Sequence, residues 1–295
     1  MRSTPLIVMT GATSGLGRIV AIELARRGAR LALTTRDAER AAAVSAEIEL
    51  SAPGTSVDFF TADFSRTGDV RRVGRQMAER YHQIDVLINN AGLHAFEQRI
   101  TADGFPEMMA VNYLAPWILT QALLPSLKAT PNARIVNVAS EASRRHGSLA
   151  LPGDLTDTAP FSARGSSAVY GKSKLLDIMF TLELARRLEW TGVSANCVDP
   201  GFNVTGLGRE LRFAPLLEKI LAHLHIGDPE RGAGLIIKLA SDSTFSGISG
   251  GYYTRRNTKR LTPVHPADDP NLCRQLWEHT EQLLAASRDG DVASR

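Results

Sequence analysis

The sequence predicts an α/β fold, in which a doubly wound, parallel, seven-stranded sheet carries helices on both faces as a three-layer sandwich. Short, continuously apolar runs such as 6–9 are typical of parallel strands that are buried on both faces. Amphipathic stretches alternate with these runs along the chain, which is the order expected of βαβ units. The chain has 295 residues, 43% of them hydrophobic and 22% charged, with no internal repeat or linker, so we expect one domain over 1–295.

Each element follows from its apolar pattern and from the glycines and prolines that bound it. The predicted strands cover 6–9, 30–35, 57–60, 85–88, 134–139, 193–198 and 250–253. The predicted helices cover 18–27, 38–50, 68–82, 105–127, 170–189, 229–240 and 270–286. We expect the fourth helix to be interrupted at Pro116 and to stop near Pro125, and Asp228 to cap helix 229–240.

Composition argues against several classes of function. The net charge is only +3 and the arginines are scattered, whereas nucleic-acid binding needs basic residues gathered on one face. Cys197 and Cys273 lie far apart without metal-ligand spacing, so we expect no metal and reduced thiols in a cytoplasmic protein. No run approaches the roughly 18 apolar residues of a membrane span. Assembly into a homo-oligomer stays open.

A glycine-rich turn, Thr10-Gly11-Ala12-Thr13-Ser14-Gly15-Leu16-Gly17, links the first strand to the first helix. Glycines let a backbone approach a pyrophosphate, and the free amides and the dipole of a helix N-terminus stabilise its charge. We therefore expect a dinucleotide to contact Gly11, Thr13, Ser14, Gly15, Leu16 and Gly17. The spacing differs from the usual G-x-G-x-x-G, so the alternative is that these glycines only turn the chain.

Arginines near the second strand favour NADP(H) over NAD(H). Arg36 follows the strand directly, where an arginine suits a 2′-phosphate, and Arg18 in the glycine turn could reach the same group. Asp37 complicates this prediction, because a carboxylate at this position can bind the ribose hydroxyl of NAD(H) instead.

Polar residues also follow the third and fourth strands. Asp63, with Phe64 beside it, lies where a carboxylate could accept hydrogen bonds from an adenine amino group; an N-cap or turn role is the alternative. Asn90, Ala91 and Gly92 follow the fourth strand, at the carboxyl edge where parallel sheets bind ligands.

Tyr170 and Lys174 are the candidate catalytic pair. Residues four apart on a helix lie on one face, and an ammonium beside a phenol lowers its pKa, which makes tyrosine a usable acid or base. A lone Y-x-x-x-K is more often a surface pair. Ser140 ends the fifth strand, and Asn112 is unusual within an apolar helix, although it could simply bond to its own backbone.

Together these residues resemble the short-chain dehydrogenase/reductase family over nearly the whole chain. The resemblance rests on the glycine turn, the N-N-A-G run 89–92, Ser140, the Tyr170/Lys174 pair, and Pro200-Gly201 followed by Thr205. Within the family the chain is most similar to the branch of retinol dehydrogenases and the WW-domain oxidoreductase, which generally favours NADP(H). We expect no membrane anchor of the kind that many retinoid enzymes carry at the N-terminus, and the loop 141–167 is distinctive, so a retinoid is not the expected substrate.

The resemblance implies a Rossmann fold and a mechanism. Tyr170 would give a proton to a carbonyl oxygen as hydride arrives from the nicotinamide, or deprotonate an alcohol in reverse. Lys174 would lower the pKa of Tyr170 and bind the nicotinamide ribose, and Ser140 would stabilise the developing charge. Asn112 would hold a water that links Lys174 to solvent. The nicotinamide would contact Pro200, Gly201, Thr205 and the Asn90 region.

The segment 206–227 is expected to be a substrate lid, as the resemblance implies. Leu211, Ala214, Leu217, Leu221 and Leu224 recur at helical spacing, which by itself favours a core-facing helix. A lid with this face favours a mostly hydrophobic ketone or aldehyde. Two rival functions remain: epimerisation or dehydration with a tightly held cofactor, and nucleotide sensing without turnover.

Overall fold

The computed structural model describes residues 4–201, 229–255 and 258–293, with side chains described up to 287. Eight strands form one sheet in the order β3-β2-β1-β4-β5-β6-β7-β8. They are β1 Leu6–Met9, β2 Arg30–Thr35, β3 Val57–Thr61, β4 Val86–Asn89, β5 Arg134–Val138, β6 Ser194–Asp199, β7 Tyr252–Thr254 and β8 Lys259–Arg260. Strands β1 to β7 are parallel, and the doubly wound fold is confirmed.

Strand β8 is one more than the seven predicted. It pairs antiparallel with β7 through two residues, Lys259 and Arg260, and both are exposed. Two exposed basic residues have no apolar alternation, so the sequence carries no strand signal at this position.

The helices lie on both faces of the sheet. They are α1 Gly15–Arg26, α2 Ala38–Ser51, α3 Thr67–Arg80, α4 Glu107–Met109, α5 Ala115–Lys128, α6 Ala163–Arg187, α7 Pro229–Ser241 and α8 Pro270–Ala293. Helices α1, α2 and α7 pack in one core and α3, α5, α6 and α8 in the other. Strand β1 supplies Leu6 and Val8 to one core and Ile7 and Met9 to the other, as expected of a strand buried on both faces.

The predicted helix 105–127 is built differently from the expectation. A π-helical turn, Ala110–Leu114, joins α4 to α5, and the amide of Ala115 donates to the carbonyl of Ala110. Pro116 follows, and because it has no N–H it cannot donate to the carbonyl of Asn112 in the α-helical pattern. The predicted end at 127, near Pro125, is one residue short, since α5 continues through Pro125 to Lys128.

Helix α6 begins seven residues before Tyr170, so the expectation that Tyr170 opens the helix is wrong. Tyr170 therefore lies within regular helix, where its position is fixed on both sides. The preceding loop contains two 3₁₀ turns, Glu141–Arg145 and Gly153–Leu155. Across the part of the chain that the structure describes, no helix combines the length and hydropathy that crossing a bilayer requires.

Candidate active site

A cavity of about 610 Å³ opens at the carboxyl ends of the central strands. Predicted site residues that line it are Gly11, Thr13, Ser14, Gly15, Leu16, Gly17, Arg36, Asn90, Ala91, Gly92, Ser140, Tyr170, Lys174, Pro200 and Gly201. Lining residues that the site prediction did not include are Asp37, Arg40, Leu93, His94, Val138 and Ala139. The strand ends bring together segments that are up to 190 residues apart in sequence.

The glycine turn leaves room for a ligand at the N-terminus of α1. Gly11 has φ +68, and a Cβ on Gly17 would lie only 2.0 Å from the carbonyl oxygen of Gly11. The first turn of α1 contains no acidic residue, and the cap residue Ser14 makes no side-chain cap hydrogen bond. The first amides of the helix therefore face the cavity without an internal anion, which fits a phosphate group.

Asn90 holds the glycine turn in place. Its Nδ2 donates to the carbonyls of Thr10 and Gly11 at 3.1 and 3.0 Å. In return, the Thr10 hydroxyl accepts from the amides of Asn90 and Ala91, both at 3.0 Å. Thr10 and Asn90 thus fasten the end of β1 to the end of β4, which the sequence prediction did not foresee for Thr10.

The end of β2 presents arginines to the cavity. Arg36 and Arg40 both line it. Asp37 caps α2 by accepting from the amides of Glu39 and Arg40 through Oδ1, and its Oδ2 lies 3.1 Å from Arg40 Nε. Both carboxylate oxygens of Asp37 therefore already have partners.

Arg18, Asp63 and Phe64 do not line the cavity. Arg18 makes a two-pronged ion pair with Glu47, at 2.7 and 2.8 Å, which holds α1 against α2. Asp63 Oδ1 accepts from the amide and the hydroxyl of Ser65, at 3.0 and 2.8 Å. This is the turn alternative that the sequence left open for Asp63, and Phe64 is buried in the core.

Helix α6 brings Tyr170 and Lys174 to the cavity on one face, and Ser140 meets them from the end of β5. The Ser140 hydroxyl lies near enough to that of Tyr170 to lower the pKa of the phenol. Gly171 makes this approach feasible, because a Cβ there would lie 2.5 Å from the carbonyl oxygen of Ala142 in the turn that Ser140 caps. Tyr170, with Ser140 and Lys174 beside it at the cavity wall, can act as a proton donor or acceptor.

Comparison with known proteins agrees with this geometry. Residues 5–151 match the family model described as short chain dehydrogenase. Human retinol dehydrogenase 14 is 35% identical, over 94% of this chain and 85% of its own length. A Streptomyces sp. (strain C5) protein named "Putative daunorubicin C-13 ketoreductase DnrU" is also 35% identical, over 97% of this chain and 93% of its own. A solved structure from Mycobacterium paratuberculosis, of an uncharacterized protein, superposes with a TM-score of 0.73 at 28% identity and covers 95% of both chains.

The chain is a short-chain dehydrogenase/reductase. Its relatives place it with the retinol dehydrogenase branch, as the sequence motifs indicated. It is therefore an oxidoreductase that acts on CH–OH or C=O groups with a nicotinamide cofactor.

In this short-chain dehydrogenase, burial governs the acidity of Tyr170. Burial raises the pKa of Tyr170 above its usual value; Lys174 and the Ser140 hydrogen bond oppose the rise, whereas Asp177 and Asp199 add to it. The expected influence of Lys174 is present, but the expected net lowering is not found, because burial outweighs it. Tyr170 thus keeps its proton at neutral pH in the described structure.

Two acceptors hold the ammonium of Lys174. Its Nζ donates to the carbonyl of Val138 and to Asp177 Oδ2, both at 2.9 Å. Burial opposes its charge, but Asp177 and Tyr170 outweigh burial and raise the pKa of Lys174. The ammonium therefore remains charged beside Tyr170.

Asn112 is completely buried and does not line the cavity. Its Oδ1 accepts from the amide of Leu93 at 2.8 Å, and its Nδ2 donates to the carbonyl of Leu93 at 2.9 Å and to Ser173 Oγ at 3.0 Å. The side chain thus fastens the segment after Gly92 to α6. The water link expected of Asn112 stays a prediction.

His94 is a site residue that the sequence reasoning missed. Its ring stacks on that of Tyr170, with centroids 4.6 Å apart, and on that of Phe96 at 4.8 Å. Its Nε2 lies 3.1 Å from Ser166 Oγ. The available signal was its place two residues after the N-N-A-G run. Thr205 and the proposed lid 206–227 lie outside the described residues.

Proposed function

We propose that this protein is an NADP(H)-dependent reductase of ketones or aldehydes on mostly hydrophobic substrates. The observation that carries the proposal is the single cavity, with the glycine turn in its middle, Arg36 at one end and the Ser140–Tyr170–Lys174 group at the other. This arrangement fits an extended dinucleotide whose nicotinamide lies beside a proton donor.

The chain's own residues supply the proton and the positioning. When bound, the nicotinamide supplies or accepts the hydride. Tyr170 donates its hydroxyl proton to the carbonyl oxygen of the substrate, and Ser140 donates a hydrogen bond to the same oxygen as charge develops there. Lys174 stabilises the resulting tyrosinate. Because burial keeps Tyr170 protonated, its resting form is the acid that reduction requires.

The arginines support NADP(H). Asp37 also lines the cavity, but its carboxylate already accepts from the amides of Glu39 and Arg40 and pairs with the Arg40 side chain, whereas Arg36 brings a positive charge to the cavity. Arg36→Ala should raise KM for NADPH about tenfold or more while sparing NADH, because a charged hydrogen bond to phosphate is lost.

Arg18→Ala is the matched control. It removes the same charge, but from the ion pair with Glu47 outside the cavity. If wild type already prefers NADH in kcat/KM, or if Arg18→Ala changes the preference more than Arg36→Ala, the assignment of the phosphate site is incorrect.

Support for a hydrophobic carbonyl substrate comes from two sources. Leu93 lines the cavity and Phe96 stacks on His94 near Tyr170. The relatives are named for an alcohol, retinol, and for a ketoreductase acting at daunorubicin C-13. The apolar stripe predicted over 206–227 agrees with such a substrate. The cytoplasmic location and the absence of a nucleic-acid partner remain predictions from the sequence, and assembly into a homo-oligomer stays open.

The decisive assay measures NADPH oxidation by the purified protein with a panel of ketones and aldehydes, beside Tyr170→Phe. We expect turnover that Tyr170→Phe reduces about 10²-fold or more, with cofactor affinity nearly unchanged. Cofactor that co-purifies stoichiometrically without net oxidation would indicate epimerisation instead. Binding without turnover on every substrate would indicate a sensor.

A further inference from the structure

A buried carboxylate that the mechanism above does not use lies directly behind the catalytic pair. Asp177 follows Lys174 by three residues on α6, and its Oδ2 lies 2.9 Å from Lys174 Nζ. The two residues are only 3% and 4% exposed. Ion pairs at the surface contribute little to the stability of a protein. Removing one member of a buried pair is costly, because it leaves a buried charge without a partner.

Titratable groups from several elements surround Asp177. Lys174 and Tyr170 face it from α6, Tyr113 from the π-helical turn, and Cys197 from β6. Burial raises the pKa of both Tyr113 and Cys197, so both stay neutral at ordinary pH.

Asp199, at the end of β6, also faces Tyr170 and adds negative charge there. Its carboxylate is fixed elsewhere, since Oδ1 accepts from the amide of Glu141 at 3.1 Å. Asp177 differs because it contacts the catalytic ammonium directly.

We propose that Asp177 is a positioning residue of the catalytic pair. It holds the ammonium of Lys174 in place and, because its negative charge offsets that of the ammonium, sets the pH range over which Tyr170 can act. This rests on the proposed function, in which Tyr170 is the proton donor. The geometry supports it, because Lys174 Nζ donates to the carbonyl of Val138 and to Asp177, and Asp177 does not itself line the cavity.

The charge balance explains the effect on Tyr170. When Asp177 is ionised, the charge of Lys174 is cancelled, and ionising Tyr170 leaves a net buried negative charge. Without the carboxylate, the ionised tyrosine and the ammonium of Lys174 would cancel each other. Burial raises the pKa of Asp177 to about 6, against the opposing effect of Lys174, so it is ionised throughout the alkaline range.

Asp177→Asn tests this, since the amide oxygen can still accept from Lys174 while the charge is lost. The measurement is the pH dependence of kcat/KM for NADPH-dependent reduction. We expect the alkaline limb to move to lower pH by about one unit. The matched control is Asp154→Asn, which breaks the 2.6 Å ion pair between Asp154 in the loop and Lys172 on α6. It should leave the midpoint of the alkaline limb unchanged.

An unchanged midpoint in Asp177→Asn, whatever the fall in rate, would overturn the proposal and leave Asp177 a purely structural residue. The ionisation of Tyr170 can also be followed without turnover, as the part of the tyrosinate absorbance that Tyr170→Phe removes. It should appear at lower pH in Asp177→Asn than in wild type. The proposal therefore stays testable even if no carbonyl substrate is reduced, which is the separate failure of the proposed function.

Asp177→Ser is the second variant should Asp177→Asn not fold, since it also removes the carboxylate beside Lys174. Its tyrosinate signal should likewise appear at lower pH than that of the wild type. An unchanged midpoint in this variant would overturn the proposal.

Discussion

Replacing Gly171 by alanine should damage the chemistry while sparing cofactor binding. A Cβ at this position would lie 2.5 Å from the carbonyl oxygen of Ala142 and 3.1 Å from the carbonyl carbon of Arg145. Both are backbone atoms of the 3₁₀ turn that follows Ser140, so a side-chain rotation cannot relieve the contact. The turn must retreat by roughly 1 Å to reach an ordinary van der Waals distance, and it must carry Ser140 with it.

The magnitude follows from the required geometry. Misplacing a catalytic group by about 1 Å lowers rates about 10²-fold, and removing one donor to a developing oxyanion has a similar effect. We therefore expect kcat of Gly171→Ala to fall about 10²-fold, which corresponds to about 2.7 kcal/mol of lost transition-state stabilisation. The dissociation constant for NADPH should stay within a few-fold, because Gly171 does not line the cavity.

Gly165→Ala is the matched control for this experiment. Gly165 lies on the same helix, and a Cβ there would meet only Phe161 Cβ at an ordinary 3.5 Å. Alanine in a helix is more favourable than glycine by about 1 kcal/mol, so Gly165→Ala should melt at or slightly above the wild-type temperature with unchanged kinetics. If Gly171→Ala keeps the wild-type kcat, the packing of the turn does not position Ser140 and the reasoning is refuted.

Three further predictions concern other parts of the site. Gly17→Ala should weaken NADPH binding about 10²-fold in calorimetry, because its Cβ would lie 2.0 Å from the carbonyl oxygen of Gly11. The control Gly234→Ala, with open space around its Cβ, should bind NADPH normally. Equal affinities of the two variants would contradict a role of the glycine turn in binding the cofactor. His94→Ala should lower kcat/KM about three- to tenfold by removing the ring stacked on Tyr170, and His94→Phe should restore most of it; no difference between the two would show that stacking is unimportant. If 206–227 is a substrate lid, Leu217→Glu, at a position outside the described residues, should raise KM for substrate without lowering the melting temperature. A large fall in melting temperature with unchanged kinetics would show instead that this segment packs in the hydrophobic core.

Features set by short-range patterns were predictable from the sequence. Short apolar runs bounded by turn residues are typical of buried strands, so the first two strands were predicted at 6–9 and 30–35, as the structure has them. The catalytic and cofactor residues lie at strand ends and on one helix face, which topology brings together without any knowledge of distances.

Features that depend on the relative rotation of elements were not predictable. Arg18 could point to the cavity or to α2, and only the packing of α1 against α2 decides for Glu47. The role of Gly171 likewise depends on how closely the turn after Ser140 approaches α6. The Lys174–Asp177 pair is an exception, because a spacing of three on a helix already places the two side chains on neighbouring positions.

The most direct test of the central claim follows the hydride. NADPH that carries deuterium at both hydrogen positions of nicotinamide C4 is incubated with the protein and a panel of hydrophobic ketones and aldehydes, and the alcohol products are analysed by mass spectrometry. We predict that deuterium appears on the former carbonyl carbon with wild type and that Tyr170→Phe forms the product at less than about a tenth of the wild-type rate. Tight binding of NADPH with no deuterated alcohol from any substrate, or full transfer by Tyr170→Phe, would contradict a Tyr170-driven carbonyl reductase.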